Sequence, residues 1–548
     1  MSDRPSSATN STDDGALDVL IVGAGFCGLY LLDRLRGSGF RVKIIDAGAT
    51  LGGVWHWNCY PGARVDSACW IYQFPHESLW REWNWSELYP GYEEIRAYFQ
   101  YADSKLDLSR DIYFETRMHA ADFDEERRQW QVQGTDRNGQ DIAFRARYVV
   151  MCTGSSSKPH IPDIDGLDSF RGPCHHSALW PQSGVQFKDK RVGVIGTGAS
   201  GVQVAQEASR EAAGLTVFQR TPNLCLPMRQ RKLDTTDNEL ARQTYPELFQ
   251  TRLQTWGGIE YDIDAKLSTE VSVAERTAHF EALWQAGGFR YWIGNYADVL
   301  MDETINRVTY DFWRDKVRER ITEPAVAEKL APTVPPHPFG TKRVSLEQWY
   351  FDLFNQDNVE LIDIKRTPIE TVTENGVRVD GRDIPLDVLV LATGFDAVTG
   401  GLTQIDIRDG AGVALREKWA KGVRTYQGLT NAGYPNLFMT YGPQAPTAFI
   451  NGPTCAELQG DFIVQTLEAL RERGHTRIEP TQEAEEGWRK LCQELAAPTL
   501  FPQADSWYMA ANVPGKVREM LMYAGGVPAY RDILNNCAAD GYVGYELT

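Results

Sequence analysis

Two short apolar runs in the chain are each followed by a glycine-rich turn and then by a segment of helical periodicity. They are Val19–Val22, within VLIVGAGFCG, and Val192–Ile195, within VGVIGTGASG. Behind each helical segment comes a second apolar strand, Arg41–Ile45 in the first case and Leu215–Phe218 in the second. Strand, turn, helix and strand in this order predict two βαβ units with parallel strands.

Both turns read G-x-G-x-x-G, the pattern of dinucleotide-binding units. The first glycine makes the tight turn, the second lets a pyrophosphate approach the backbone, and the third lets helix and strand pack closely. The phosphates then lie at a helix N-terminus, where free N–H groups and the helix dipole favour negative charge. The six glycines are Gly23, Gly25, Gly28, Gly196, Gly198 and Gly201.

The residue that ends the second strand differs between the two units. Asp46 closes the first, 23 residues after Gly23, and its carboxylate can accept a hydrogen bond from a ribose 2′-hydroxyl. In the second unit Gln219 and Arg220 stand there, and a guanidinium can bind a 2′-phosphate with paired hydrogen bonds. The first site therefore suits FAD or NAD, and the second suits NADP. The contacts expected around the second turn also include Thr197, Ala199, Ser200 and Thr221.

The order of patterns predicts interleaved domains. A strand-rich stretch ends in YVVMCTG, a Ser/Pro-rich segment follows it as a linker, and a similar strand end, VLVLATGF, recurs after the second unit. Between them, apolar residues at helical spacing predict a helical insertion. We predict an α/β fold with two Rossmann-like domains. The predicted ranges are a disordered tail at 1–16, the FAD domain at 17–152 and 386–548, the NADP domain at 153–228 and 332–385, and the insertion at 229–331.

Composition narrows the choice of partners. With a formal charge of −18, the 548-residue chain is a poor partner for nucleic acid or an anionic membrane. Its nine cysteines include no C-x-x-C pair, which argues against a zinc ribbon or a dithiol centre and favours the reducing cytoplasm. No apolar run reaches membrane-spanning length, and nothing in the sequence indicates an obligate protein partner or a metal site.

Two longer motifs carry a family resemblance. FRGPCHHSALWP fits F-x-G-x-x-x-H-x-x-x-W-P, and upstream GGVWHWNCYPGARVD fits G-G-x-W-x-x-x-x-[FY]-P-G-x-x-x-D. Both resemble the signatures of type I Baeyer–Villiger monooxygenases, which use FAD and NADPH to insert one oxygen of O2 beside a ketone carbonyl. The resemblance extends from Val19 to about Tyr545. The fingerprint residues are Phe170, Gly172, His176, Trp180 and Pro181.

The resemblance implies catalytic roles. In this family the reduced flavin forms a peroxide at C4a, and an anion in an apolar pocket needs a fixed positive charge. Arg343 would supply that charge, and Asp66 would hold the arginine. Lys342 would join Arg220 on the 2′-phosphate, and Trp507 would contact the ribose on the nicotinamide side.

Further contacts follow from the resemblance alone. Tyr441–Gly452 aligns with a segment that lines the ketone pocket, and Ala510 stands where glycine is expected, which could stiffen the loop after Trp507. The remaining cofactor contacts are Val54, Trp55, Tyr72 and Met118 for FAD, and Arg64 for NADP.

Three questions stay open at this point. His176, which we expect to lie in an interdomain linker, could be a hinge or structural residue or a general base, and the sequence gives it no partner. A flavin monooxygenase that oxidises nitrogen or sulfur shares both glycine motifs but typically lacks the Trp180–Pro181 pair. A non-catalytic flavoprotein would not need Arg343, Asp66 and Lys342 together.

Overall fold

The computed structural model describes residues 15–548, so the predicted tail, except for its last two residues, lies outside the described residues. In chain order the strands are β1 (Leu17–Val22), β2 (Val42–Ile45), β3 (Ile112–Tyr113), β4 (Arg117–Asp124), β5 (Gln129–Thr135), β6 (Asp141–Met151), β7 (Cys174–His176), β8 (Arg191–Ile195), β9 (Gly214–Gln219), β10 (Leu226–Pro227), β11 (Leu346–Glu347), β12 (Val359–Asp363), β13 (Ile369–Thr373), β14 (Gly376–Val379), β15 (Arg382–Pro385), β16 (Val388–Leu391), β17 (Asp406–Arg408), β18 (Leu437–Met439), β19 (Ile478–Pro480) and β20 (Tyr545–Leu547).

The helices vary in length from single turns to six turns. In chain order they are α1 (Phe26–Gly37), α2 (Val54–Trp57), α3 (Glu77–Trp80), α4 (Tyr92–Leu106), α5 (Ala199–Glu211), α6 (Thr235–Thr251), α7 (Val273–Ala286), α8 (Arg290–Ile293), α9 (Glu303–Arg318), α10 (Pro324–Leu330), α11 (Gly400–Thr403), α12 (Leu415–Lys418), α13 (Gly452–Arg473), α14 (Gln482–Ala496) and α15 (Val527–Ala539). Within residues 15–548, no helix combines the length and the apolar character needed to cross a lipid bilayer.

The first βαβ unit forms the centre of an eight-stranded sheet. Its strands follow the order β17, β4, β5, β6, β1, β2, β3, and β18 also pairs with β6. Strand β1 is parallel to both of its neighbours, with Val19 opposite Val42 on one side and Tyr148 on the other. Helix α13, from the C-terminal part of the chain, packs against α1. The C-terminal part of the chain therefore adds two strands, β17 and β18, and helix α13 to the first βαβ unit.

The second βαβ unit lies in a parallel five-stranded sheet with the order β12, β9, β8, β16, β7. Strand β16 pairs with β8 in the register Val388 to Val192, so it belongs to this second sheet. The predicted boundary at residue 386 is therefore wrong, because the chain leaves the second sheet only after Leu391. Buried parallel strands of either sheet are apolar throughout, and their composition alone does not show which sheet they join.

The expected interdomain linker contains a strand. His176 is the last residue of β7, and it pairs with Leu391 of β16 at the edge of the second sheet. The prediction that His176 lies in a linker is therefore wrong. Three residues are too few to show a strand periodicity in the sequence, and the strand forms because β16 offers a free edge.

The segment 229–331 contains five helices, α6 to α10. Helix α9 has the strongest amphipathic pattern, and it buries Ile305, Trp313 and Val317. The indole Nε1 of Trp313 donates a hydrogen bond of 2.8 Å to the carbonyl oxygen of Cys225, which precedes the insertion. The helices are thus anchored to the second domain by a buried side chain.

Candidate active site

The first glycine-rich turn connects β1 to α1. Gly23 has a φ of 113°, and a side-chain carbon there would collide with the carbonyl oxygen of Cys152. A carbon on Gly28 would collide with the Gly23 carbonyl oxygen, so Gly28 lets α1 pack against the turn. Gly25 is the N-cap of α1, and no side chain caps the N–H groups of the first turn. Those groups can receive a phosphate.

Asp46 lies directly beside this turn. Its two carboxylate oxygens accept hydrogen bonds of 2.6 Å from the backbone N–H groups of Ala24 and Gly48. The side chain is buried, and burial raises its pKa, although the two backbone bonds act in the opposite direction. The carboxylate is therefore fixed in place at the end of β2 and next to the glycine-rich turn, where the ribose of a dinucleotide is expected.

The second turn connects β8 to α5, and its three glycines differ in what surrounds them. A carbon on Gly196 would collide with the carbonyl oxygen of Ala392, and one on Gly201 with that of Gly196. At Gly198, by contrast, an added carbon meets no atom within 4 Å. The middle glycine thus faces open space, as expected where a pyrophosphate approaches the backbone. The turn and the start of α5 comprise Gly196, Thr197, Gly198, Ala199, Ser200 and Gly201.

Cationic side chains lie beside the second turn. Arg220 follows β9 directly and is exposed, and the next residue, Thr221, accepts a 2.8 Å hydrogen bond from the Thr197 hydroxyl. Lys342 is half-buried, and burial together with the nearby charge of Arg220 lowers its pKa. Within residues 15–548, neither cation has a carboxylate oxygen within 4.0 Å. Two unneutralised cations at this place fit a bound phosphate.

Arg343 and Asp66 form an ion pair between distant parts of the chain. The guanidinium donates from Nε at 3.2 Å and from Nη2 at 2.8 Å, both to Oδ2 of Asp66. Its Nη1 donates to the carbonyl oxygen of Ala448 at 2.9 Å, and its Cζ lies over the Phe289 ring, 5.0 Å from the ring centre. Ala448 belongs to Tyr441–Gly452, the segment expected to line the ketone pocket.

The ion pair fixes the charge state of the arginine. Burial is the largest single effect and acts to lower the pKa of Arg343, but the Asp66 carboxylate and the Tyr508 and Tyr441 hydroxyls together outweigh it, and the net shift is upward. About 29% of the Arg343 side chain and 30% of the Asp66 side chain remain exposed. The site therefore offers a permanent positive charge that a ligand can still reach.

Two further expected residues lie beside this pair, and a third, Val54, precedes one of them in the chain. The Trp55 indole Nε1 donates to the Tyr72 hydroxyl at 3.0 Å. Burial raises the pKa of Tyr72, and the charges of Asp66 and Arg343 act on the same hydroxyl. Val54 begins α2 with 39% of its surface exposed. The structure thus brings Tyr72, and through it Trp55, to the Arg343 site.

Three other expected contacts are less closely connected to the site. Arg64 Nη1 donates to Glu87 at 3.1 Å and to the Tyr89 carbonyl at 3.0 Å. Met118 is buried in β4, within the apolar cluster beneath the first sheet. Trp507 is half-buried, with its ring centre 4.6 Å from that of Tyr508. Burial raises the pKa of the Tyr508 hydroxyl, and the charge of Arg343 is near enough to act on that pKa in the opposite direction.

Comparison with known proteins now adds to this geometry. Residues 16–234 match the family described as Flavin-binding monooxygenase-like. The chain is 50% identical to cyclopentanone 1,2-monooxygenase of Comamonas sp. (strain NCIMB 9872), over 98% of this chain and 97% of that protein. It is 35% identical to a protein of Pseudooceanicola batsensis named Baeyer-Villiger monooxygenase, over 96% of this chain and 95% of the relative. The chain belongs to the Baeyer–Villiger monooxygenase family.

Solved structures agree with this assignment. The crystal structure of OTEMO in complex with FAD and NADP superposes with a TM-score of 0.92 at 37% identity, covering 97% of this chain and 99% of the other. The protein is therefore a flavin monooxygenase of the Baeyer–Villiger type that uses FAD and NADPH. Both glycine turns have the close backbone packing expected of a dinucleotide-binding turn.

The fingerprint of this Baeyer–Villiger monooxygenase has a structural explanation. His176 accepts a hydrogen bond at Nδ1 from the Ala178 N–H at 3.1 Å, and its Nε2–H donates to the Gly394 carbonyl at 3.0 Å. Burial lowers its pKa to about 4. The ring is thus neutral near pH 7, with both nitrogens already engaged, so it joins β7 to the strand end after β16. The sequence did not reveal these partners.

The other fingerprint residues also make structural contacts. A carbon on Gly172 would collide with the Asp387 carbonyl oxygen. Phe170 packs on the apolar cluster of the second sheet. Trp180 is buried, and its carbonyl oxygen and that of Pro181 lie 3.6 and 3.9 Å from the Cys59 Sγ. The Trp-Pro loop therefore contacts the segment that leads to Asp66.

One contact near this loop was missed in the sequence. Gln182 donates through Nε2 to the His56 carbonyl at 2.8 Å, and its Oε1 accepts from Arg96 at 2.9 Å. Arg96 also donates to the Trp55 carbonyl at 2.7 Å and to that of His56. Gln182 directly follows the fingerprint, and Arg96 lies on the amphipathic helix α4. No local pattern indicates that they meet.

Proposed function

We propose that this enzyme converts a ketone into an ester or lactone at the Arg343 site, and that small cyclic ketones are its preferred class. The observation that carries the proposal is the fixed guanidinium of Arg343, held by Asp66 and by the Ala448 carbonyl while part of it stays exposed. The cyclic preference is supported by the 50% identity to a cyclopentanone monooxygenase.

Arg343 would stabilise negative charge on oxygen. Bound FAD, reduced by NADPH, supplies the activated oxygen for the insertion. As the ketone carbon becomes tetrahedral, its oxygen gains charge, and a preorganised donor beside it lowers the barrier. Asp66 holds the guanidinium plane in one orientation, while the face of Phe289 supports it from another side. Arginine suits this role because it stays protonated and offers a forked set of donors.

The two turns would hold the cofactors. For FAD, we assign Gly23, Gly25 and Gly28 to the pyrophosphate and Asp46 to the adenosine ribose. The FAD contacts that follow from the family resemblance are Val54, Trp55, Asp66, Tyr72 and Met118.

For NADP, the second turn would receive the pyrophosphate, and Arg220 with Lys342 would bind the 2′-phosphate. The remaining NADP contacts that follow from the family resemblance are Arg64, Thr197, Ala199, Ser200, Thr221, Arg343 and Trp507. Arg64 keeps a structural partner in Glu87, so its contact with a ligand would use the N–H groups that Glu87 leaves free.

The domain assignment is also a proposal. We assign 17–152 and 392–548 to the FAD domain, 153–228 and 332–391 to the NADP domain, and 229–331 to the insertion, with the boundary moved by β16. We further propose that the enzyme acts on freely diffusing ketones in the cytoplasm, without an obligate protein partner. All nine cysteines are free, which fits a reducing compartment.

Product analysis tests the function. The purified enzyme is given NADPH, O2 and a panel of ketones: acetone, cyclopentanone, cyclohexanone, an aryl ketone and a steroid ketone. Esters or lactones should form, with the highest kcat/KM for the small cyclic ketones. Arg343→Ala should lose at least about 10²-fold in product formation, yet its flavin should still be reduced by NADPH under anaerobic conditions.

Arg343→Lys serves as the conservative variant. A lysine keeps the charge but lacks the fork, so it should restore only part of the activity. Substantial ester formation by Arg343→Ala would remove this residue from the mechanism. Sulfide and amine substrates are included in the panel, and products oxidised only at sulfur or nitrogen would overturn the ketone assignment.

A further inference from the structure

The strand next to Arg220 brings a third cation to the proposed 2′-phosphate site. Strands β9 and β12 run in parallel, with Gln219 opposite Asp363. The pairing continues beyond the strand ends, because the Ile364 N–H donates to the Gln219 carbonyl oxygen at 2.9 Å. Lys365 therefore leaves β12 at the same sheet edge where Arg220 leaves β9.

Lys365 and its neighbour Arg366 differ in their partners. Both backbone N–H groups donate to Oδ1 of Asp363, at 3.0 and 3.4 Å, so the turn is fixed. Arg366 also forms an ion pair with Asp363 through Nε at 3.5 Å. The Lys365 ammonium group is exposed and has no carboxylate oxygen within 4.0 Å among residues 15–548.

The positive charges act on one another. Arg220 and Lys365 both lower the pKa of Lys342, after the larger effect of burial. The carboxylate that acts on Lys342 in the opposite direction is Asp505, which is itself paired with Arg518 at 3.2 Å. Three cations held together without a dedicated carboxylate repel one another, and a doubly charged anion relieves that repulsion.

We propose that Lys365 is a specificity-determining residue of the NADP site that binds the 2′-phosphate together with Arg220 and Lys342. This inference rests on the proposed role of those two residues. Nothing in the sequence around Lys365 indicates it, because only the pairing of β9 with β12 brings it to the site. An exposed lysine reaches the phosphate as a flexible point charge, so its contribution is smaller than that of the half-buried Lys342.

The test measures binding of the phosphate group itself. Adenosine 2′,5′-bisphosphate and ADP are titrated by calorimetry into wild type, Lys365→Ala and Arg366→Ala, each with FAD bound. Lys365→Ala should bind the 2′,5′-bisphosphate about three- to fivefold more weakly, as for an exposed charge pair, with ADP affinity unchanged. Arg366→Ala is the matched control, because it removes an adjacent exposed cation that already has a partner.

Kinetics provide a second measurement. The KM for NADPH should rise in Lys365→Ala while the KM for NADH stays the same, and Lys365→Arg should restore the NADPH value. Affinity for the bisphosphate should also fall less steeply with added salt once one cation is gone. Equal affinities of Lys365→Ala and Arg366→Ala for the bisphosphate would overturn the proposal.

Arg220→Ala and Lys342→Ala are measured beside these variants. If both lose affinity for the bisphosphate and Lys365→Ala does not, the inference about Lys365 is wrong and the NADP assignment stands. If none of the three variants changes the affinity, the 2′-phosphate binds elsewhere, and the assignment of Arg220 and Lys342 to it is wrong as well.

Discussion

Arg343 directs two of its N–H groups to a single oxygen of Asp66, at 3.2 and 2.8 Å. The two residues are 277 positions apart in the chain, so the pair forms only when the first domain and the segment before β11 come together. Its third bond, to the Ala448 carbonyl, ties the same guanidinium to the expected ketone pocket. Three separate parts of the chain, which contain Arg343, Asp66 and Ala448, thus meet at the active-site charge.

Replacing Asp66 by asparagine tests whether this pair positions the arginine. The amide keeps the size of the side chain but loses the charge that orients the guanidinium. Ketone conversion should fall about tenfold, less than for Arg343→Ala, because a charge-assisted hydrogen bond contributes about 1.5–3 kcal/mol and this one is part-exposed. More of the NADPH consumed should end as hydrogen peroxide.

A distant ion pair gives the control for Asp66. Asp387 binds Arg191 through Oδ1 at 2.7 Å, at the N-terminal ends of the parallel strands β8 and β16. Asp387→Asn removes the same kind of charge and should leave the ratio of lactone to NADPH unchanged. If Asp66→Asn behaves like Asp387→Asn, Asp66 does not position the arginine.

The glycines of the second turn predict two different defects. Gly198→Ala should fold and keep its FAD, because the added carbon meets no atom within 4 Å and the φ of −69° suits alanine. Its KM for NADPH should rise at least about tenfold, since the methyl group occupies the space of the pyrophosphate. NADPH kinetics and FAD content measure both effects.

Gly201→Ala should instead damage the fold. Its added carbon would collide with the Gly196 carbonyl oxygen, and overpacking of this kind costs about 1–3 kcal/mol. The melting temperature should drop in Gly201→Ala and not in Gly198→Ala. A Gly198→Ala variant with normal NADPH kinetics would show that the pyrophosphate does not lie over this turn.

Part of the fold and of the candidate site could be predicted from the sequence, and part could not. The two glycine turns are local patterns, and their strands and helices lie where the sequence places them. The membership of β16 and the strand at His176 were not predictable, because each depends on which neighbour a short apolar segment finds in space. Lys365 and the Gln182–Arg96 contact are also long-range: their side chains meet the site only through strand pairing or helix packing.

Asp46 offers a test of FAD retention. In Asp46→Asn, the amide oxygen can accept from only one of the two N–H groups of Ala24 and Gly48, and the amide NH2 opposes the other. An unsatisfied buried donor costs about 1–3 kcal/mol, so the variant should lose much of its FAD on gel filtration. Asp18→Asn, at the other end of β1, removes the same charge, but its amide oxygen can still accept the single N–H of Arg41, so this variant should keep one FAD per chain. Equal FAD content in the two variants would contradict the role of Asp46.

His176 predicts a pH dependence of stability. Its pKa is about 4 in the folded protein and about 6.5 when unfolded, because burial disfavours the charged ring. Between pH 4 and pH 6.5 the unfolded state binds more protons than the folded state. The stability that the neutral ring contributes to the folded protein is therefore complete above pH 6.5 and is lost as the pH falls toward 4. The maximal slope for one such group is about 1.4 kcal/mol per pH unit.

The comparison of wild type with His176→Gln isolates this group from His337, whose pKa burial also lowers to about 4. The glutamine amide can still donate toward the Gly394 carbonyl, but it does not titrate. Urea unfolding at several pH values between 4 and 7.5 should show a shallower loss of stability for His176→Gln than for wild type. His119→Gln, at an exposed position on β4, should follow the wild-type curve. Parallel curves for wild type and His176→Gln would mean that His176 is not held neutral by the fold. The neutral ring, with both nitrogens bound, joins β7 to the end of β16 and takes no part in proton transfer. The pH profile of kcat above pH 6.5 should therefore be the same in wild type and in His176→Gln.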